Sequence, residues 1–152
     1  MRRFLSNGWD VTSFSLPGEA PVADWTGPVR MTHGDLDDPA AVAAAASYCD
    51  LAIHLAAPVG VAGHYQWQWD IIAEGTRNVC EAMAAQGGRA VVASSIAVYG
   101  TLIQRQVCRE EDGHGPWAGA YGRAKQGQER VALAVAAATG MPLTIIRPAN
   151  VY

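Results

Sequence analysis

The sequence predicts an α/β protein built around a parallel β-sheet, on two observations. Short apolar runs recur along the 152 residues, and longer stretches with helical spacing separate them. Strands that are buried on both faces give continuous apolar runs, and the alternation of strand with helix is typical of a doubly wound parallel sheet. Half of the residues are hydrophobic, which fits one domain with a sizeable core.

The strands are predicted from compact apolar segments, several of them β-branched. They lie at 11–15 (VTSFS), 29–32 (VRMT), 51–55 (LAIHL), 90–95 (AVVASS) and 143–147 (LTIIR). Three helices are predicted between them, at 37–46, 70–86 and 121–138.

Residues with specific end preferences mark these helices. Asp37 or Asp38 can cap the first helix, with Pro39 in its first turn. Gly87 follows the second helix and Gly140 follows the third, as expected for helix C-termini.

Composition excludes several classes of function. The net charge is −3 and no long basic run occurs, so neither nucleic acid nor an anionic membrane surface is an expected partner. The three cysteines (Cys49, Cys80 and Cys108) form no CxxC pair and predict reduced thiols in a cytoplasmic protein. No apolar run approaches the ~20 residues of a membrane span, and the histidines show no metal-ligand spacing.

Small or polar residues follow the predicted strands. The segments are GDLDD after 29–32, HLAAPVG after 51–55, SSIAVYG after 90–95 and RPANVY after 143–147. Ligands of doubly wound sheets bind beyond the carboxyl ends of the strands. These segments are therefore the predicted site.

Tyr121 and Lys125 are four residues apart in AYGRAK, so a helix would place them on one face. The pattern alone favours a surface tyrosine beside a solvated lysine. Ser95 at the end of a strand can either serve chemistry or bond to nearby backbone. His54 is predicted to be a hydrogen-bonded core residue, and REEDGHGP (109–116) a solvated loop.

Taken together, GDLDD, HLAAPVG, EGTRNV, SSIAVYG, YGRAK and RPANVY resemble the extended short-chain dehydrogenase/reductase superfamily, in particular its NAD-dependent epimerases and dehydratases of nucleotide sugars. The motifs span most of the chain in the family's order. The resemblance implies a Rossmann-type fold, NAD as cofactor (NADP remains open) and a nucleotide sugar as substrate. It also implies a homodimer, for which the helices at 70–86 and 121–138 are candidates.

The resemblance implies a catalytic role for Tyr121 as acid/base. Lys125 would hold the nicotinamide ribose and lower the pKa of the tyrosine, and Ser95 would complete the triad. A free tyrosine titrates near 10, so it needs such help to act as a base at neutral pH.

Other roles are carried over in the same way. Asp35 and Leu36 would flank the adenine ring, and the dinucleotide would run along Leu55, Ala56 and Ala57. The substrate would contact Asn150 and Tyr99.

Three departures from the family qualify this reading. The glycine-rich loop G-x-x-G-x-x-G is absent, Ile72 replaces a frequent asparagine, and Ser15 stands where NAD-binding members often have an acidic residue. We therefore expect one incomplete Rossmann-type domain over 1–152, truncated at both ends and lacking its first strand and glycine loop. We expect it to show a gap or a direct pairing between the strands at 11–15 and 51–55, to be prone to aggregation, and to bind NAD(P) poorly.

The function predicted from sequence is that of an NAD(P)-dependent epimerase/dehydratase. The alternatives are a simple ketone or aldehyde reductase and a non-catalytic remnant.

Overall fold

The computed structural model describes residues 1–19, 27–57, 69–116 and 118–149. The elements are α1 (Arg2–Ser6), β1 (Val11–Ser15), β2 (Val29–His33), α2 (Pro39–Ala46), β3 (Leu51–His54), a π-helical turn (Asp70–Glu74), α3 (Gly75–Ala85), β4 (Arg89–Ala93), a 3-10 segment (Ile96–Gln104), α4 (Gly119–Thr139) and β5 (Leu143–Ile146). The predicted strands and helices are confirmed to within two residues at each end.

The described strands form two parallel sheets. In one, β1 pairs with β2 and Val11 lies opposite Val29. In the other, the order is β3-β4-β5, and Val91 lies between Ile53 and Thr144. This arrangement confirms an α/β fold with parallel sheets.

A cleft of about 310 Å³ is lined by β1 on one side and β3 on the other. Each of these strands is an edge strand of its sheet among the described residues. The expected gap between them is thus confirmed.

The main core lies between one face of the β3-β4-β5 sheet and helices α3 and α4. It includes Cys80 and Met83 from α3, Ala90 and Val92 from β4, and Ala132 from α4. The opposite face is more open, since Ile53 is 41% and Ile146 is 43% exposed.

Local sequence signals set the helix ends. The structure selects Asp38 rather than Asp37 as the cap of α2, since its carboxylate accepts from the N–H groups of Ala40 and Ala41 at 3.0 and 3.1 Å. Gly140 ends α4 in a left-handed conformation with φ of 74°. No helix in the described part of the chain is long and apolar enough to cross a membrane.

Candidate functional site

The site lies where α4 begins, beside the carboxyl end of β4. Ser95 follows β4 and caps the 3-10 segment, its Oγ accepting from the N–H of Ala97 at 3.1 Å. Gly122 allows α4 to approach this segment closely, because a β-carbon there would lie 2.7 Å from the carbonyl oxygen of Ala97. The approach brings Tyr121 to Ser95.

Ser95 lies close enough to Tyr121 to affect the pKa of its hydroxyl. Burial raises the pKa of Tyr121 above its ordinary value, and a hydrogen bond from Ser95 opposes that rise. Ser95 Oγ accepts a hydrogen bond from the N–H of Ala97, so its own proton is free to be donated to the tyrosine oxygen. The hydrogen bond of Ser95 to the backbone is therefore compatible with a role beside Tyr121, which stays a prediction.

Lys125 lies one helical turn after Tyr121 and only 2% of its surface is exposed. Its Nζ lies 5.8 Å from the centre of the Tyr121 ring. The ammonium donates to the carbonyl of Ala93 at 2.8 Å and to Gln128 Oε1 at 3.0 Å. Two of its three protons are thus held by the protein in these contacts.

The expected lowering of the tyrosine pKa is not seen in the protein alone. Burial of Tyr121 dominates and raises its pKa. Burial also lowers the pKa of Lys125 to about 8, against the opposing effect of the Glu129 carboxylate. The lysine charge is costly in this position, which explains why two carbonyl oxygens surround it.

Behind Lys125, a buried chain of hydrogen bonds crosses from α4 to β3. Gln128 Nε2 lies 2.8 Å from Thr76 Oγ1, and His54 Nε2 lies 2.9 Å from the same oxygen. His54 is 5% exposed, and burial, with a smaller contribution from the charge of Lys125, lowers its pKa to about 4. The prediction of a hydrogen-bonded core histidine is confirmed.

Three of the residues predicted to bind the dinucleotide line the cleft. Leu36, Leu55 and Ala56 line it. Asp35 is exposed directly before the buried Leu36, and Ala57 follows as a half-buried residue.

The EGTRNV motif explains how Leu36 is held. Gly75 allows Leu36 to pack against the start of α3, because a β-carbon at 75 would lie 2.9 Å from the β-carbon of Leu36. Asn78 Nδ2 donates to the carbonyl of Leu36 at 2.7 Å. Thr76 of the same motif joins the chain behind Lys125, so three of its six residues act on the site through packing or hydrogen bonds.

Tyr99 is 5% exposed and its hydroxyl is engaged within the protein. It donates to the carbonyl of Arg109 at 2.8 Å and accepts from Arg147 Nη1 at 2.9 Å. Its predicted contact with substrate stays a prediction. Asn150, the other predicted substrate residue, lies outside the described residues.

The loop at 109–116 is largely exposed, as predicted, but it is also fixed to the rest of the protein. Arg147 donates to the carbonyls of Glu110 and Asp112 at 3.1 and 3.2 Å. His114 Nε2 lies 2.8 Å from Glu129 Oε2. The loop is therefore tied to β5 and α4, because its backbone carbonyls satisfy a partly buried guanidinium.

Sequence reasoning missed Thr76, Gln128, Glu129 and Arg147. Burial alone would raise the pKa of Glu129, but hydrogen bonds from Arg147, Ser94 and His114 outweigh it and lower the pKa. Ser94 Oγ is near enough to take part in this effect, yet it has no partner with full hydrogen-bond geometry. Gln128 and Glu129 stood out only as polar side chains within one helix, whereas Thr76 and Arg147 belong to the motifs EGTRNV and RPANVY but were given no role.

The family model of the NAD dependent epimerase/dehydratase family matches residues 1–152. No curated protein sequence matches the chain.

Solved structures show the same fold. MoeE5, in complex with UDP-glucuronic acid and NAD, is 30% identical, with a TM-score of 0.77 over 94% of this chain and 46% of its own. UDP-glucose 4-epimerase from Bifidobacterium longum, in complex with NAD+ and UDP, is 26% identical, with a TM-score of 0.80 over 95% of this chain and 47% of its own. UDP-glucose 4-epimerase from Thermotoga maritima is 21% identical and shares the fold, with a TM-score of 0.82 over 99% of this chain and 50% of its own. The chain thus spans about half the length of these relatives.

Proposed function

Because the chain belongs to the NAD-dependent epimerase/dehydratase family, we propose that Tyr121, Lys125 and Ser95 form the proton-transfer part of an oxidoreductase site that acts on a nucleotide sugar. The supporting observation is the meeting of these residues at the end of β4. Ser95 is near enough to Tyr121 to oppose the rise in its pKa, and Lys125 donates to the carbonyl of Ala93. MoeE5 and the Bifidobacterium longum epimerase, both solved with NAD and a uridine nucleotide, support the substrate class.

Two parts of the site fit a nicotinamide dinucleotide. Lys125 keeps one ammonium proton beyond its two protein contacts, which fits a ribose hydroxyl, and the exposed carboxylate of Asp35 lies beside the cleft-lining Leu36. NAD, when bound, supplies the acceptor for the hydride that leaves the substrate carbon.

Tyr121 exchanges a proton with the oxygen on that carbon. When a hydroxyl is oxidised, its O–H bond breaks and the proton goes to the phenolate oxygen; when a carbonyl is reduced, the phenol returns the proton. Ser95 donates a hydrogen bond to the tyrosine oxygen and so favours the phenolate. The positive charge of Lys125, one turn away, favours the same form.

A second candidate function is a remnant that does not bind the cofactor. The observation that favours it is the cleft between β1 and β3, since the pyrophosphate of a dinucleotide is normally received by a glycine turn at the centre of the sheet. The sequence has no G-x-x-G-x-x-G to form such a turn.

Titration of the purified chain with NADH, followed by fluorescence, separates the two. Saturable binding in the micromolar range by folded protein supports the oxidoreductase and excludes the remnant. Folded protein that leaves NADH fluorescence unchanged at millimolar cofactor favours the remnant. Incubation with NAD+ and UDP-glucose then tests the reaction class, because an epimerase converts the sugar without a net change in NADH, whereas a net oxidoreductase forms NADH in proportion to product.

A further inference from the structure

We propose that Gln128 is a positioning residue for Lys125, held in its working orientation by Thr76 and His54. The proposal rests on the proposed function, since it concerns the lysine of the same site. It adds a residue outside the Tyr-Lys-Ser set, on the buried side of α4.

Gln128 lies between two polar partners with no exposed surface of its own. It is 0% exposed, its Oε1 lies 3.0 Å from Lys125 Nζ and its Nε2 lies 2.8 Å from Thr76 Oγ1. Leu, Val or Ala would satisfy packing at a buried helix position without any hydrogen-bonding demand. A completely buried amide at this position is therefore explained by its hydrogen bonds to Lys125 and Thr76.

The proton of Thr76 fixes the orientation of the amide. A threonine hydroxyl has one proton, and Thr76 donates it to the carbonyl of Ile72 at 2.6 Å. Thr76 Oγ1 must therefore accept from both of its other neighbours. Gln128 then has its NH2 toward Thr76 and its carbonyl oxygen toward Lys125.

The same constraint fixes His54. Its Nε2 must carry a proton to donate to Thr76. A neutral imidazole with that tautomer fulfils this, and burial keeps the ring neutral by lowering its pKa to about 4. Neutrality also matters to Lys125, because a second buried cation nearby would repel the ammonium.

The orientation of Gln128 determines where the ammonium protons of Lys125 point. The carbonyls of Gln128 and Ala93 each accept one proton of the ammonium, which leaves the third for the open side of the site. The titratable groups that face Lys125 from the described elements are His54 of β3 and Tyr121 and Glu129 of α4. Without the Gln128 oxygen, the buried charge would depend on one carbonyl.

The sequence makes this testable in a direct way, because Lys125 is the only lysine among the 152 residues. Protein labelled with [13Cε]lysine gives one lysine signal, whose pH titration reports the pKa of Lys125 in the complete chain. A lysine side chain held in one rotamer also gives its two Hε protons different shifts, whereas free rotation about the side-chain carbons makes the shifts nearly equal. Neither readout requires NAD or turnover.

Three substitutions at Gln128 and Thr76 provide the test. Gln128→Met keeps the shape and removes the acceptor, so the pKa of Lys125 should fall by about 1 to 2 pH units, the worth of one charge-assisted hydrogen bond. Gln128→Glu places a carboxylate at the same point and should raise the pKa. Thr76→Val frees the Gln128 amide and should shift the pKa in the same direction as Gln128→Met, by less.

Thr76→Ser is the matched control, because it keeps the hydroxyl and should leave the lysine signal as in the wild type. The double variant Gln128→Met with Thr76→Val should match Gln128→Met alone, since both changes act through one contact. An unchanged lysine pKa in folded Gln128→Met overturns the proposal. If that variant does not fold, an unchanged pKa in Gln128→Glu or Thr76→Val does so.

The proposal and the proposed function fail separately. Loss of the Gln128 effect on the lysine signal contradicts only the positioning role. Absence of NADH binding with an intact Gln128 effect contradicts only the function.

Discussion

Arg147 and Glu129 form a bidentate ion pair: Nε to Oε1 and Nη2 to Oε2 are both 2.8 Å. Glu129 lies in the middle of α4, and Arg147 directly follows β5. The Glu129 side chain is 1% exposed, so its charge is stabilised by these hydrogen bonds and not by water. It joins the helix that carries Tyr121 and Lys125 to the strand edge and, through the remaining Arg147 nitrogen, to the loop at 109–116.

We predict that Arg147→Met lowers the free energy of unfolding by about 3 to 5 kcal/mol, because it leaves the carboxylate of Glu129 buried with no arginine. The carbonyls of Glu110 and Asp112 lose their donor, so amide hydrogen exchange should also accelerate in 109–113. Urea unfolding and hydrogen exchange measure both effects.

The matched control is Arg77→Met. Arg77 pairs with Glu74 at 2.9 Å, but the two side chains are 40% and 44% exposed. Its loss should cost at most about 1 kcal/mol. If both arginine variants lose the same free energy of unfolding, burial of the Arg147–Glu129 pair does not increase its contribution to stability.

The sequence predicts the elements of this fold better than the contacts between them. Strands such as 143–147 are recognisable as short apolar runs, although the structure leaves one face of β5 open, with Ile146 43% exposed. The segment KQGQER (125–130) is misleading in this respect. Its six residues are all polar or small, which in a helix predicts a face exposed to solvent. The structure buries Lys125, Gln128 and Glu129 of this segment.

These residues are buried because their partners come from distant parts of the chain. Lys125 meets Ala93, Gln128 meets Thr76, and Glu129 meets Arg147. Helical periodicity describes one element at a time and contains no information on such partners. The Tyr121–Lys125 spacing was recognisable because both residues belong to one helix turn, and Ser95 because it ends a strand.

We predict that Tyr121→Phe reduces turnover of a nucleotide sugar by about 10²- to 10⁴-fold with the fold intact, because it removes the group that exchanges a proton with the substrate. Product formation from UDP-glucose with NAD+ is the measurement. Tyr48→Phe is the control, since Tyr48 is 95% exposed. A phenylalanine variant with the rate of the wild type would disprove the role of Tyr121.

We predict a pH-dependent difference between the wild type and Lys125→Met. The pKa of Lys125 is lowered to about 8 from 10.5. Between these values the unfolded chain holds the proton and the folded chain does not, so the stability of the wild type rises with pH by about 3 kcal/mol in this window. The variant lacks this contribution.

Comparing the wild type with Lys125→Met cancels the contribution of other groups that titrate in the same pH range. Burial raises the pKa of Cys80 to about 11, and this thiol is present in both proteins, so its effect cancels in the difference. Urea unfolding at several pH values from about 8 to about 10.5 gives the result. A difference that stays constant with pH would contradict a depressed lysine pKa.

We predict that His54 limits stability in acid. Its pKa is lowered from 6.5 to about 4, so between these values the unfolded state binds a proton that the folded state does not. The wild type should therefore lose about 3 kcal/mol from this group as the pH falls through that window. His54→Gln keeps an N–H donor for Thr76 and should lose correspondingly less. Parallel unfolding profiles for the two proteins would show that His54 is not protonated on unfolding.

The last prediction concerns the cleft between β1 and β3. Two facing edge strands with unpaired backbone groups are templates for pairing between molecules, and a charged side chain on such an edge opposes that pairing. Ile53 on β3 lines the cleft and is 41% exposed. We predict that Ile53→Lys slows aggregation, measured by light scattering of concentrated protein, at a stability cost of about 1 kcal/mol or less, the range of strand propensities. Ile53→Val, which keeps an apolar β-branched side chain, should aggregate like the wild type. If the lysine variant aggregates as fast as the valine variant, the association does not proceed through this edge.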